Sequence, residues 1–191
     1  MTTPTAATAR PLRADAQRNY DTIVRVAAEA FAENGTQTSL DDVACRAGVG
    51  PGTLYRHFPT RDSLLTAALR GSLGELDALA SELITADDAG AALDRWLFQL
   101  ASHLRTYGGL PDSVAQALQD EKSPLCISCD PLRATTATLL TRAQETGAAR
   151  QDAQASDVFA LVASLAWAAD RRRATDDDLK RMLALVTSGL R

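Results

Sequence analysis

The stretch TQTSLDDVACRAGVGPGTLYRHFPTRDSLL, residues 36–65, holds two short helical patterns joined at a glycine-bearing turn. Leu40, Val43, Ala44 and Ala47 recur at spacings of three and four, which places them on one helical face. Ser39 is the expected cap of that helix, and Asp41 and Asp42 suit the positive end of its dipole. Cys45 reads as a small buried residue. Gly48 supplies the left-handed conformation that ends the helix. Pro51 then opens a second helix, where its missing N–H has no helical partner to lose. In that helix Leu54 and Phe58, four apart, turn inward together, leaving Thr53, Tyr55, Arg56 and His57 to face other directions. An apolar seam that holds the helix while polar and aromatic groups project suits a helix entering a DNA groove.

The residues that carry a family resemblance are the run from Thr38 to Val49, then GTLYRHF at 52–58, then Arg61 followed by Leu64 and Leu65. Together they resemble the DNA-binding helix-turn-helix of the TetR family of bacterial transcriptional regulators. The resemblance implies an all-α fold. An N-terminal three-helix DNA-binding domain is joined by a long helix to a helical ligand-binding and dimerisation domain. The corresponding divisions here are a flexible arm at 1–14, the helix-turn-helix domain at 15–60 and the sensing and dimerisation domain at 61–191. Position by position, the resemblance places Pro51, Gly52, Thr53, Tyr55 and His57 at the DNA surface, with Arg61 just beyond.

The side-chain chemistry agrees. Gly52 allows close backbone approach, and Thr53 can meet a thymine methyl or a phosphate. Tyr55 and His57 have apolar bodies with polar tips suited to phosphates at the groove edge. Arg56, at a position that varies in the family, can pair with guanine or neutralise a phosphate. Thr38 and Ser39, at the start of the preceding helix, are expected phosphate contacts through hydroxyl and N–H groups.

The chain of 191 residues carries a net charge of −4, with 46% hydrophobic and 23% charged residues. Those proportions are ordinary for a soluble globular protein with a sizeable core. A negative balance looks wrong for a DNA-binding protein until its distribution is read. Residues 1–70 hold eight arginines and seven acidic residues, whereas the remainder holds twelve basic and seventeen acidic ones. The acidity therefore sits in the part not expected to touch DNA, and Arg10, Arg13, Arg18, Arg56 and Arg61 can share one face. No apolar run is long enough for a membrane span, and the N-terminus lacks the apolar core of a secretory signal. Three cysteines and no export signal point to a cytoplasmic location.

Further helices are expected from about Asp15 to Asn34, from Thr60 through Leu83, from Ala89 to Tyr107 and near 112–120. Lys122 to Pro131 reads as irregular, followed by helices at about 132–145, 155–172 and 176–190. Gly71 and Gly74 are possible bend points in the long fourth helix.

The final two helices are the expected dimer interface, through Leu161, Ser164, Leu165, Leu179, Met182, Leu183 and Val186. A pocket for a small-molecule effector is expected among the middle helices. Trp96, Phe98, Leu100, His103, Tyr107, Leu118 and Trp167 are its candidate lining.

Enzyme chemistry finds little support: there are only two histidines, no nucleophile elbow and no phosphate-binding glycine loop. Cys126 and Cys129 lack the further ligands that zinc needs, so no metal or cofactor is expected. The functional expectation is a homodimeric, ligand-responsive repressor acting on an inverted-repeat operator in double-stranded DNA. The alternative is a regulator that answers to redox state or a partner protein instead of a small molecule.

Overall fold

The computed structural model describes residues 9–106, 109–117, 120 and 122–190. Among these residues ten helices and no strand occur, so the fold is all-α as expected. The first four are α1 (Ala9–Asn34), α2 (Leu40–Arg46), α3 (Pro51–His57) and α4 (Arg61–Ile84). They are followed by α5 (Ala89–Arg105), α6 (Leu110–Ala117), α7 (Pro124–Ser128), α8 (Asp130–Glu145), α9 (Ala155–Arg171) and α10 (Asp176–Gly189).

Two boundaries differ from expectation. Helix α1 begins at Ala9, inside the stretch expected to be a mobile arm; residues 1–8 lie outside the described residues. The expected irregular stretch 122–131 instead folds as α7 and the start of α8. Its two prolines do not prevent this, because Pro124 and Pro131 both occupy first-turn positions, where no helical N–H bond is lost.

Helices α1 to α3 pack with the first part of α4 as an N-terminal unit. Its shared core includes Ile23, Phe31, Val43, Leu54, Phe58 and Leu65. Helix α5 is the hub of the remainder, in contact with α4, α6, α8, α9 and α10. The spacing of Leu93, Trp96, Leu97, Leu100, Ala101 and Leu104 explains this, since all six are buried. Trp96 is fully buried, and its indole N–H donates to the Thr136 hydroxyl at 2.9 Å, so the one polar atom of that side chain is satisfied.

Helix α4 joins the two units and runs unbroken through Gly71 and Gly74. At its start Thr60 and Ser63 form a reciprocal capping box. At its end the Arg142 guanidinium donates to the carbonyls of Leu83 (3.1 Å) and Ala86 (2.7 Å), a cation at the negative end of the dipole. Both ends are thereby fixed.

Candidate nucleic-acid interface

Helix α2 is built as its sequence predicts at both ends. The Ser39 hydroxyl accepts the Asp42 N–H at 3.4 Å, and Gly48 sits at φ +68°. The Gly48 N–H donates to the Cys45 carbonyl and the Val49 N–H to the Ala44 carbonyl, the paired bonds of a Schellman ending. No atom lies within 4 Å of a Cβ built on Gly48, so the backbone conformation alone favours glycine there. Pro51 then starts α3, which carries Leu54 (fully buried) and Phe58 on its inner side.

The other face of α3 is open. Pro51, Gly52 and Arg56 are exposed, Tyr55 is 45% exposed, and Thr53 is half-buried. A Cβ built on Gly52 meets nothing within 4 Å, which leaves room for close approach by a large partner. His57 is half-buried, with its ring edge-on to Tyr20 at 6.1 Å, and Tyr20 also packs on Phe58 at 5.0 Å. The His57 ring is thus positioned by α1, with part of its surface still accessible.

The loop before α2 is tightly bonded. The Thr38 hydroxyl donates to the Gly35 carbonyl at 2.7 Å, so Thr38 shapes the loop while Ser39 stands at the exposed helix N-terminus. The Arg61 guanidinium donates to the carbonyls of Thr36 and Thr38, both at 2.7 Å. Those bonds tie the start of α4 to the α1–α2 loop and commit part of the guanidinium to the protein itself. Thr36, fully buried, shares a 3.2 Å hydroxyl–hydroxyl bond with Ser113 of α6, and Ser123 donates to Asp62 of α4 at 2.7 Å. These two contacts join the helix-turn-helix unit to the second unit, and sequence spacing alone gave no sign of them. Arg18 is exposed and paired with Asp15; the side chains of Arg10 and Arg13 lie outside those described.

Three expectations need correction. Cys45 is exposed rather than buried. The seam Leu40, Val43, Ala44 and Ala47 leaves position 45 on the opposite side of the helix, so the spacing already contained this result. Leu179 and Leu183 of the expected dimer surface are buried in the chain's own core. Leu161 (47% exposed) and Leu185 (77% exposed) face outward instead, with Ser164 exposed and Leu165, Met182 and Val186 half-buried. Trp167 is 45% exposed and its N–H donates to Asp112 at 2.6 Å, which places it on the outer face of α9 rather than in a cavity.

The remaining ligand candidates do not converge. Trp96 and Leu100 are fully buried in the packed core, and Phe98 is half-buried with the Lys180 ammonium 5.4 Å from its ring centre. His103 lines a cleft of about 180 Å³ between α4 and α5, beside Glu75 and Ser102. Burial holds the His103 imidazole below its ordinary pKa, while the charge of Glu75 works in the opposite sense. Tyr107 and Leu118 lie outside the described residues. Cys126 and Cys129 are both buried, and burial pushes the Cys129 thiol up to about 11.

Residues 23–68 match the family described as bacterial regulatory proteins, tetR family. Residues 88–191 match the C-terminal domain of SbtR-like transcriptional regulators. A helix-turn-helix transcriptional repressor of Mycobacterium tuberculosis is 35% identical over 96 residues, 50% of this chain and 51% of that protein. The chain thus spans about half the length of the curated relatives it matches. Among solved structures, a TetR transcriptional regulator from Streptomyces coelicolor is 30% identical, with a TM-score of 0.57 over 90% of this chain and 97% of that one. The regulator FadR from Bacillus subtilis, solved in complex with stearoyl-CoA, shares the fold at 20% identity, with a TM-score of 0.61 over 90% and 100% of the two chains.

Proposed function

Because the chain belongs to the TetR family of bacterial regulatory proteins, we propose that it is a repressor that binds an inverted-repeat operator as a homodimer. A small-molecule effector in the C-terminal unit would release the operator, by favouring a conformation in which the two copies of α3 no longer match successive major grooves. Family membership identifies a regulator rather than an enzyme.

The observation that carries this reading is the division of α3. Leu54 and Phe58 fasten it to the core, and Pro51, Gly52, Tyr55 and Arg56 stand free on the other side. With Ser39 at the neighbouring helix start, this surface offers base-reading and phosphate-positioning groups side by side. The proposed interface comprises Ser39, Pro51, Gly52, Thr53, Tyr55, Arg56 and His57. Thr38 and Arg61 shape the loop beneath it, and Arg61 reaches phosphate with its remaining donors.

The exposed Leu161 and Leu185 support pairing through α9 and α10. A small-molecule effector gains support from the FadR complex with stearoyl-CoA. The raised pKa of buried Cys129 weakens the redox alternative, since the thiolate is the reactive form.

Selection of duplexes from a randomised library with the purified protein tests the reading. Two copies of one half-site in inverted orientation, with centres about one helical turn or a multiple of it apart (roughly 34 Å per turn), are expected. Recovery of no enriched sequence, or of an unpaired single site, would overturn it.

A further inference from the structure

We infer that the turn between α9 and α10 makes a second, sequence-blind contact to the DNA backbone, through Arg173. This rests on the DNA-binding reading above and extends the interface beyond the helix-turn-helix.

The first observation is charge without compensation. The chain is net negative, yet Arg171, Arg172 and Arg173 are consecutive and exposed. Every nearby carboxylate is already engaged. Asp112 takes the Trp167 N–H and Arg171, and Asp170 accepts the Gly109 N–H at 3.2 Å. Asp176 faces Arg105 at 3.6 Å, Asp177 faces Lys180 at 3.6 Å, and Asp178 is held by Thr175 and Arg181. Across the cleft, Glu33 is bonded to Arg46 at 2.7 Å. Among the described residues, Arg173 pairs with none of them, whereas the charge of Arg172 is felt by Asp178, with which it shares a groove.

The second observation is backbone conformation. Among the described residues, three helices end with the same paired bonds. At α2 they close through Gly48 (φ +68°), and at α8 through Gly147 (φ +73°). At α9 the Arg173 N–H donates to the Asp170 carbonyl at 3.0 Å and the Ala174 N–H to the Ala169 carbonyl at 2.9 Å. Here the left-handed position is filled by Arg173, at φ +49°. An L side chain is disfavoured in that region and glycine is the ordinary choice, so a cation kept there points to use of the side chain.

The third observation is position. Arg173 lines a cleft of about 540 Å³ together with Gly35 and Gln37 of the α1–α2 loop. Gln37 also lines the adjoining depression of about 620 Å³ beside Thr38 and Ser39. Gln37 thus borders both the cleft that Arg173 lines and the depression at the helix start expected to meet phosphate. The turn is fixed there, because the Arg105 guanidinium donates to the Ala174 carbonyl and Asp170 is tied to Gly109. A long cationic side chain so placed can reach the backbone flanking each half-site, where it adds affinity without reading bases.

The test is the salt dependence of binding to a duplex selected by the wild-type protein, measured between about 50 and 200 mM salt. Arg173→Gly is compared with wild type and with Arg95→Gln, whose parent residue pairs with Glu82 on α4. Each phosphate that a variant leaves without its cation makes the slope of log K against log salt less steep by about 0.9, so Arg173→Gly should fall short by about 0.9 per chain. The effect should be the same on operator and on random duplex, and Arg95→Gln should behave as wild type. Glycine suits the left-handed position, so misfolding is not expected to obscure the result. An unchanged slope overturns the inference while leaving the DNA-binding reading intact. A changed oligomeric state with an unchanged slope overturns it as well, by assigning Arg173 to a protein–protein contact. Failure of the wild-type protein to select any duplex removes the DNA-binding reading itself.

Discussion

Leu54 and Tyr55 are neighbours with opposite tasks, and the structure separates them cleanly. Leu54 is fully buried beneath α3, so Leu54→Ala should destabilise the fold by about 2–5 kcal/mol through reduced burial and the cavity left behind. Chemical denaturation should report that cost, and a loss below about 1 kcal/mol would contradict the burial. Arg173 is the reverse case. Its left-handed backbone carries a steric cost that glycine avoids, so Arg173→Gly should stabilise the fold by about 1 kcal/mol. A higher denaturation midpoint at fixed pH would bear this out, and a lower one would show that the side chain contributes more to the fold than its exposure implies.

Helices were legible in the sequence wherever apolar spacing, a cap and a glycine agreed. Ser39, Gly48, Pro51 and Thr60 each do in the structure what their residue type predicts. The region from 122 to 131 misled because prolines and cysteines read as irregular, although proline is compatible with a first turn. The α9–α10 stripes misled for another reason. Each helix is apolar over more than one face, and spacing alone does not say which face meets α5 and which meets solvent. The Thr36–Ser113 bond lay beyond any local pattern, since it joins residues 77 apart in sequence.

Helix α5 also sets a pH dependence. Burial lowers the folded-state pKa of His103 below 6.5, so between those two values the unfolded chain binds more protons than the folded one. Stability should therefore fall as pH drops below 6.5 and level off once the folded state is protonated too. Thermal melts of wild type and His103→Gln across that range test this, because their difference should show this profile. A difference that does not vary with pH would contradict it.

The whole molecule combines a near-neutral N-terminal unit with an acidic C-terminal one, joined by a helix pinned at both ends. Pairing of two such chains would bring two copies of α3 to one side of a duplex and would cover the outward Leu161 and Leu185. Leu185→Glu should accordingly convert a dimer to a monomer in sedimentation velocity without loss of helical signal, because Leu185 is 77% exposed in the single chain. A variant that remains dimeric would move the interface elsewhere.

The open face of α3 is the surface proposed to hold the operator. Its most direct test is a titration of wild type, Tyr55→Ala and Arg56→Ala against a panel of variants of the selected duplex. Tyr55→Ala should weaken binding to every duplex by about tenfold, roughly 1.4 kcal/mol, and Arg56→Ala should change the order of preference among them. Unchanged affinity and unchanged preference in both variants would contradict the account.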